Sequence, residues 1–236
     1  MVNFHSMSLS QTSCYLLKAK DGHLLIDCGN LYDKKAFLSN IRKFGIAITD
    51  INYLFLTHHH NDHCGLLTFL LSVNPKIQVI MSRKCSEYLK AGSHFKHINE
   101  HYSNNMLRHI ISAYSKLGKH SESFDPYFKR DEDLIIDCDN DIILPELGID
   151  GKILFVQGHT KDSISIVLGN VAFVGDAARN MMNFTGTPYQ PILLYDLEEC
   201  YKSWNKLIEA GAKIIYPAHG RPFTAEKLKL LTIPKS

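Results

Sequence analysis

The chain has 236 residues, a length that fits one large domain, and 45% of its residues are hydrophobic while 21% are charged. This composition is typical of a globular protein with a sizeable core, and it excludes a disordered tail, a fibrous repeat or a coiled coil as the main structure. The 26 lysines and arginines against 24 acidic residues leave a formal net charge of +2. A dedicated nucleic-acid-binding domain usually has a clear basic excess, so a nucleic-acid partner is disfavoured.

The N-terminal residues and the cysteines predict the compartment. Residues 1–11 lack a basic segment followed by an apolar run, so we expect no secretory signal. The longest apolar runs, such as Ile51–Leu56, are far shorter than the roughly 20 residues that cross a bilayer. The six cysteines include no CxxC pair. We therefore expect free thiols, a reducing cytoplasmic location and no membrane association.

Short apolar runs separated by turn signals predict alternating strands and helices in the first part of the chain. Strands are inferred from runs rich in branched and aromatic residues, and helices from apolar positions at helical spacing. The predicted elements are a β-hairpin of Ser13–Ala19 and His23–Asp27, a helix over Lys34–Phe44, a buried strand Ile51–Leu56, a helix over Gly65–Ser72, a strand Ile77–Met81 and a helix from Ser82 to Ala91.

The segment of about residues 92–133 is polar and rich in His, Asn, Ser and Lys, with a helical patch around Met106–Leu117. Because about forty residues would form a poor core alone, we expect a helical insertion or lid within one domain. If this segment is helical, four histidines lie near one face: His94, His97, His101 and His109. They could line a lid at a substrate mouth, but because the periodicity is weak we favour a polar surface helix. In either case we expect this segment to determine specificity.

Strands predominate again after the insertion, and several of them are paired in hairpins. The predicted elements are strands Leu134–Asp137, Ile142–Leu144 and Lys152–Val156, a hairpin of Ser163–Leu168 and Val171–Gly175, an amphipathic helix Leu197–Ala210, a strand Lys213–Tyr216 and a last helix near Ala225–Leu231. Hairpins among interleaved helices indicate mixed sheets with helices on their faces. The whole chain, residues 1–236, is therefore predicted to be a single α/β domain.

The strongest chemical signal is the sequence Thr57–His63, directly after the predicted strand Ile51–Leu56. It contains the pattern His58-x-His60-x-Asp62-His63. Three imidazoles and a carboxylate within six residues suit zinc, although iron and manganese also accept such ligands. The alternative is a solvated histidine-rich loop. A buried cluster without metal would leave polar groups unpaired at about 1–3 kcal/mol each, so we favour a metal site.

Further ligand types follow other predicted strands. His159, Asp176 and His219 each lie at the end of an apolar strand and beside a glycine that allows close approach of the backbone. Any one of them alone would be interpreted as a cap or a surface residue. Their recurrence at strand ends, together with the histidine cluster, predicts one composite metal centre.

With these motifs the sequence resembles the metallo-β-lactamase superfamily over nearly its whole length. The resemblance implies an αββα four-layer sandwich and two metal ions. One ion would be held by His58, His60 and His159, and the second by Asp62, His63 and His219, with Asp176 bridging. Asp27, within Leu25–Gly29, would stabilise the ligand loops from behind the first layer of ligands.

The resemblance also implies a binuclear metal-dependent hydrolase. Two divalent cations, with zinc expected first, lower the pKa of a shared water from about 15.7 towards about 7. The resulting hydroxide would attack an ester, thioester, lactone or similar bond of a small-molecule substrate. Asp62 is expected to be a metal ligand that also orients this hydroxide, which makes it the candidate catalytic residue. No general acid is evident, because Tyr195 is more typical of packing and His59 is expected to point away from the metals.

Arg179 and Asn180 follow Asp176 closely and are, with Tyr195, candidate substrate contacts, the first two for an anionic group. A surface arginine beside a turn is an equally good interpretation. Three other functions stay open: a mononuclear iron oxidoreductase similar to sulfur dioxygenases, a phosphodiesterase or nuclease of the same family, and a non-catalytic relative. The seven retained ligand positions disfavour the last, and the sequence predicts no particular oligomeric state.

Overall fold

The computed structural model describes residues 3–116 and 123–232, and its strands form two main β-sheets. The strands, numbered along the chain, are β1 (Phe4–Ser8), β2 (Ser13–Lys18), β3 (His23–Ile26), β4 (Ile51–Phe55), β5 (Gln78–Ser82), β6 (His101–Tyr102), β7 (Leu134–Ile136), β8 (Lys152–Phe155), β9 (Ile164–Leu168), β10 (Val171–Gly175), β11 (Leu193–Leu194), β12 (Ile214–Pro217) and β13 (Phe223–Thr224). The first sheet has the order β1-β2-β3-β4-β5-β7 and the second β13-β12-β10-β9-β8, while β6 pairs with β11.

Both sheets are mixed, as the hairpins predicted. In the first, β1, β2 and β3 are antiparallel, whereas β3, β4, β5 and β7 run parallel. In the second, β10 and β12 run parallel and the other pairs are antiparallel. The carboxyl ends of β8, β10 and β12 therefore lie at the same edge of the second sheet.

Helices cover the outer faces of the sheets. The α-helices of the described residues are α1 (Lys34–Lys43), α2 (Asn61–Cys64), α3 (Leu67–Val73), α4 (Arg83–Tyr88), α5 (Asn105–Lys116), α6 (Ile143–Glu146), α7 (Leu197–Glu209) and α8 (Glu226–Thr232), of which α6 packs between the sheets. Phe37 of α1 and Leu70 of α3 pack with Leu54 on the outer face of the first sheet. Trp204 of α7 packs with Val174 on the outer face of the second sheet.

A third core lies between the sheets and completes four layers. Leu24, Phe55 and Ile80 of the first sheet share one buried cluster with Ile166 and Phe173 of the second. Burial of such side chains stabilises the fold by roughly 1.5–3 kcal/mol each. The order helix, sheet, sheet, helix is the αββα sandwich that the resemblance implied, and this prediction is confirmed. Within the described part of the chain, no helix has the length and apolar character to span a bilayer.

Most predicted elements are present within one to three residues of their predicted bounds, but Ile142–Leu144 is not a strand. These residues begin the short helix α6, because the Asn140 side-chain oxygen accepts hydrogen bonds from the backbone N–H groups of Ile142 and Ile143. An amide at this position satisfies donors that a first helical turn leaves unpaired. The strand β1 had not been predicted.

Residues 92–133 are only partly helical. The helix α5 follows a non-helical stretch over residues 94–100, so the four histidines do not share a helical face. His97 is buried and the side chain of His94 is nearly so, whereas His101 and His109 are exposed. The prediction of a polar surface helix is wrong for His94, His97 and His101, which lies in β6, and only His109 is exposed on a helix. The predicted helical patch extended to Leu117, which lies outside the described residues.

Candidate metal centre

All seven side chains predicted as ligands meet at one edge of the sandwich. Four of them follow β4 in the segment 58–63, where the chain turns into α2. The other three follow parallel strands of the second sheet: His159 after β8, Asp176 after β10 and His219 after β12. Three strands with the same direction deliver their C-terminal residues to the same place, which explains how ligands up to 161 positions apart converge.

The first group consists of three buried imidazoles. The Nε2 atom of His159 lies 3.2 Å from Nε2 of His58 and 3.2 Å from Nδ1 of His60. Tetrahedral zinc with bonds of about 2.0–2.1 Å places its nitrogen ligands about 3.3 Å apart, so these separations already fit an ion. Burial lowers the pKa of all three rings, which keeps them neutral and leaves lone pairs free for coordination.

The second group combines imidazoles with carboxylates. Nε2 of His219 lies 3.3 Å from an oxygen of Asp62 and 3.3 Å from Oδ2 of Asp176. Nε2 of His63 lies 3.2 Å from Oδ1 of Asp176, yet both atoms are buried and make no hydrogen bond to any described residue. Oδ2 of Asp176 is also 3.6 Å from Nε2 of His159, so this carboxylate lies between the two groups. A divalent cation would bind both of these atoms, which lack a hydrogen bond.

The acidic surroundings affect both histidines of the second group. Burial lowers the pKa of His219, but Asp176 and Asp62 outweigh burial and raise it to about 10. Against burial, Asp176, Asp27 and Asp62 likewise raise the pKa of His63 well above its ordinary value. A cation that binds these rings therefore has to displace protons from them.

Asp27 fixes the orientation of the ligand turn. Its carboxylate accepts hydrogen bonds from the backbone N–H and the hydroxyl of Thr57, both at 2.8 Å, and lies 2.7 Å from Nδ1 of His63. The Thr57 hydroxyl is also 3.1 Å from Nδ1 of His58. Since a carboxylate only accepts, His63 carries a hydrogen on Nδ1, and a cation that displaces the Nε2 proton would meet the Nε2 lone pair at the centre.

Backbone carbonyls orient two of the other three ligand rings. Nδ1 of His159 lies 2.7 Å from the carbonyl oxygen of Leu193 in β11, and Nδ1 of His219 lies 2.9 Å from that of Gln11. The next residue, Thr12, donates its hydroxyl to the carbonyl oxygen of Asp62. The turn between β1 and β2 thus supports the second group, a role that sequence reasoning missed because β1 had not been predicted.

Close backbone approach at the centre requires glycine at two positions. Gly175, with φ +52°, would place a Cβ atom 2.6 Å from the Thr57 hydroxyl. Gly220, with φ +100°, would place one 2.2 Å from the carbonyl oxygen of Asn180. Neither distance is possible for a larger residue without movement of the backbone, so the ligands beside these glycines, Asp176 and His219, depend on them.

Two of the predicted substrate contacts, Arg179 and Asn180, make hydrogen bonds to backbone carbonyls of nearby loops. Arg179 is 1% exposed, and its guanidinium donates to the carbonyls of Met181 and Thr187, so it braces this loop instead of facing an open cleft. Asn180 donates its amide to the carbonyl of Arg221 and thereby supports the loop that carries His219. Both side chains are engaged in loop contacts, and binding of an anionic group by Arg179 and Asn180 stays a prediction.

Tyr195 is half-buried beside the first group, and its backbone N–H donates to the carbonyl of Gly158. Its ring lies 5.3 Å from that of His97, and the ammonium of Lys161 lies 5.5 Å from its centre. Burial raises the pKa of its hydroxyl well above the ordinary value, so the group is protonated at neutral pH. The residue borders the site and stays a predicted substrate contact.

His59 points away from the two groups, as expected. Its Nδ1 lies 3.0 Å from both oxygens of the buried Asp162, and its Nε2 accepts the backbone N–H of Phe95 at 3.0 Å. Sequence reasoning missed Asp162, although an acidic residue three positions after His159 was a signal that could have found it. His94 was not assigned to the site, yet its ring lies 3.9 Å from that of His60.

The fold and the two groups of converging donors define an αββα protein with a composite metal site. A family model of the Metallo-beta-lactamase superfamily matches residues 7–219. The chain therefore belongs to this superfamily, which confirms the resemblance seen in the motifs.

Similar proteins support the same assignment. The metallo-beta-lactamase fold-containing protein ST1585 of Sulfurisphaera tokodaii is 28% identical over 170 residues, which cover 72% of this chain and 60% of that protein. The probable metallo-hydrolase YqjP of Bacillus subtilis is 23% identical over 89% of this chain and 67% of its own length. Ribonuclease J of Mycobacterium tuberculosis is 38% identical, but only over 28% of this chain and 14% of that enzyme.

Solved structures match the fold. The crystal structure of ST1585 has a TM-score of 0.63 and 23% identity, and it covers this entire chain and 88% of that one. The metallo-beta-lactamase family protein TTHA1429 of Thermus thermophilus has a TM-score of 0.66 and 17% identity over 98% of this chain and 77% of that one. At this level of identity the likeness concerns the fold alone.

Proposed function

We propose that this protein is a metal-dependent hydrolase with a binuclear centre. One ion would be held by His58, His60 and His159, and the other by the second group, with Asp176 between them. The observation that carries the proposal is the convergence of these donors, with His63 Nε2 and Asp176 Oδ1 buried and without a hydrogen-bond partner among the described residues.

The donor set decides which ions fit. Neutral imidazole nitrogens with carboxylate oxygens suit zinc first, while iron and manganese also accept this combination. Two ions bound at these positions would supply Lewis acidity and a water-derived nucleophile at neutral pH. In the first group the separations of 3.2 Å from His159 Nε2 to His58 Nε2 and to His60 Nδ1 support a tetrahedral ion.

The residues around the centre would orient the reactants. Asp62 lies 17% exposed beside His219 and 3.8 Å from His63, so its second oxygen can accept a hydrogen bond from the attacking water and fix its direction. Asp27 and Thr57 would hold the ligand rings in the tautomers that coordination needs. Tyr195, whose hydroxyl is protonated at neutral pH, would border the bound substrate as a hydrogen-bond donor.

The proposed substrate is a small molecule with an ester, thioester, lactone or similar bond. Residues 92–133 would form the specificity element, since Phe95 is bonded to His59 next to the first group. A cavity of about 440 Å³ adjoins this segment and is lined by Glu100, His101, Tyr102, Asn104, Asn105 and Arg108. Glu100 connects it to the centre through His94. The part of the substrate that does not react would occupy this cavity.

A second candidate is a phosphodiesterase or nuclease, favoured by the 79 residues that resemble Ribonuclease J. The net charge of +2 disfavours it, because polynucleotide binding depends on a large basic excess. For the compartment we propose the cytoplasm, which the six unpaired cysteines support.

The test combines elemental analysis with a substrate panel. Purified protein, prepared without chelator, is compared with Asp176→Ala, His159→Ala and the surface control His109→Ala on esters, thioesters, lactones and phosphodiesters. We expect about two zinc equivalents, and losses of metal and of more than about 100-fold in turnover in the first two variants only. Iron with oxygen uptake, or turnover without bound metal, would contradict the proposal.

A further inference from the structure

A third cluster of imidazoles lies beside the proposed binuclear centre, next to the segment 94–100. One ring nitrogen from each of His59, His60 and His94 lies within 4.8 Å of the others. His59 is fully buried, His60 is 6% exposed, and the side chain of His94 is 8% exposed. Only His60 belongs to the seven ligands assigned above, so the cluster adds two histidines that the proposed reaction does not use.

A ligand of a single ion uses one ring nitrogen, and the second ring nitrogen of His60 has no assigned role. Its Nδ1 lies 3.2 Å from Nε2 of His159 and faces the first group. Its Nε2 is buried and has no hydrogen-bond partner among residues 3–116 and 123–232. Buried polar atoms in native structures usually have a hydrogen-bond partner. A buried ring nitrogen that lacks one and has other imidazoles around it therefore indicates a position where an ion binds. A deprotonated imidazole can bind one ion at each nitrogen.

The two added histidines are oriented as metal ligands usually are. Nε2 of His94 lies 3.2 Å from the Glu100 carboxylate, and Nδ1 of His59 lies 3.0 Å from that of Asp162. Because carboxylates only accept, these nitrogens carry the hydrogens. The opposite atoms, Nδ1 of His94 and Nε2 of His59, therefore present lone pairs. A carboxylate behind each ring is the support that coordinating histidines typically have.

We propose that Nε2 of His59, Nε2 of His60 and Nδ1 of His94 form a third metal site, with His60 shared as a bridging imidazolate. Three nitrogen donors select a borderline divalent ion such as zinc, copper or nickel, and disfavour magnesium and calcium. The site rests on the proposed function in one respect, since the bridge requires an ion in the first group.

The third site is weaker than the first. Separations of up to 4.8 Å have to contract towards about 3.3 Å for a tetrahedral ion, whereas the first group is already at 3.2 Å. The His94 ring, tilted 35° from that of His60, has to turn so that both lone pairs converge. The bond from the Phe95 N–H to His59 Nε2, at 3.0 Å, has to give way to the ion. Occupancy would thus draw the segment 94–100 towards the centre.

The test is equilibrium dialysis of the metal-free full chain against increasing zinc. We expect two tight equivalents and a third, weaker one in the wild type. His94→Ala should bind only the two tight equivalents, and Glu100→Gln should weaken the third about 10–100-fold. His101→Ala removes an exposed histidine of the same segment and should retain all three. Circular dichroism of each variant establishes that it is folded.

The outcomes separate this inference from the proposed function. Two equivalents in both the wild type and His94→Ala overturn the third site and leave the binuclear centre standing. No tight equivalents in the wild type overturn both proposals. A third equivalent that survives His94→Ala and Glu100→Gln is bound at the surface and also overturns the inference. With copper as the third ion, electron paramagnetic resonance should show coupling to three nitrogens in the wild type.

Discussion

Replacing Asp27 by asparagine should disturb metal binding through the protonation of two ligand rings. The carboxylate now accepts three hydrogen bonds, two from Thr57 and one from His63. In Asp27→Asn the amide oxygen can keep one of them, while the NH₂ group has to donate. His63 must then accept at Nδ1 and carry its hydrogen on Nε2, where an ion should bind. The Thr57 hydroxyl would then accept from the amide and donate to Nδ1 of His58, so His58 too would carry its hydrogen on Nε2.

The magnitude follows from the bonds that are lost. A hydrogen bond to a charged group contributes about 1.5–3 kcal/mol. Changes at groups that orient ligands typically weaken metal affinity about 10–100-fold, which corresponds to about 1.4–2.8 kcal/mol. We therefore expect Asp27→Asn to bind its second ion about 10–100-fold more weakly than the wild type. A chelator-competition titration measures this difference directly.

The alanine variant separates ligand orientation from backbone strain. Asp27 has φ +56°, a left-handed conformation that asparagine tolerates but that costs alanine about 1–2 kcal/mol. Both variants lose hydrogen bonds of the carboxylate, and Asp27→Ala should lose this additional amount of unfolding free energy in the metal-free protein. If Asp27→Asn retains wild-type affinity for both ions, the argument from tautomers is refuted. Equal thermal destabilisation of both variants would refute the argument from strain.

Three further outcomes are expected. In denaturant unfolding, Gly175→Ala should destabilise the protein by about 1–3 kcal/mol more than Gly169→Ala. Both glycines have φ near +50°, but only at position 175 would a Cβ atom clash with Thr57. Equal losses of unfolding free energy would contradict this reasoning. Zinc at about 100 times its dissociation constant should add about 2.7 kcal/mol per site to the free energy of unfolding. In scanning calorimetry this raises Tm by about 5–11 °C per site, and excess chelator should reverse the shift. An unchanged Tm would count against a metal site in the folded protein. The pKa of His219, about 10, and the raised pKa of His63 mean that protons compete with the ion for both rings at neutral pH. Zinc affinity should therefore fall about tenfold per pH unit for each proton displaced between pH 9 and pH 6. Calorimetric titration in buffers of different ionisation enthalpy should detect the proton release, and a pH-independent affinity would contradict this reasoning.

The metal centre was the most predictable part of this protein. A buried strand that runs into His58-x-His60-x-Asp62-His63 gives a local pattern, and single ligands after other apolar strands repeat it. Parallel strands bring their ends to one edge, so strand order alone converts a sequence pattern into proximity. The αββα layers followed from the family resemblance, whereas hairpins interleaved with helices indicated only mixed sheets with helices on their faces.

Elements with weak patterns were missed for identifiable reasons. The edge strand β1 is mostly exposed, so its alternation of buried and exposed residues is slight. The run Ile142–Leu144 is apolar enough for a strand, but Asn140 caps it as a helix. Short apolar runs carry no period that separates these cases.

Side-chain directions on the ligand turn could not be predicted, and His59 illustrates the reason. It stands between two ligands, yet its ring faces Asp162, a residue 103 positions later, and the backbone of Phe95. Consecutive residues of a tight turn point in different directions, and a tertiary partner selects which direction each takes. The position of Arg179 also depends on tertiary partners, because two of its guanidinium nitrogens donate to the loop carbonyls of Met181 and Thr187. Sequence patterns therefore identify the side chains that can bind a metal. The carboxylates and backbone carbonyls that hydrogen-bond these side chains decide which of them face the centre.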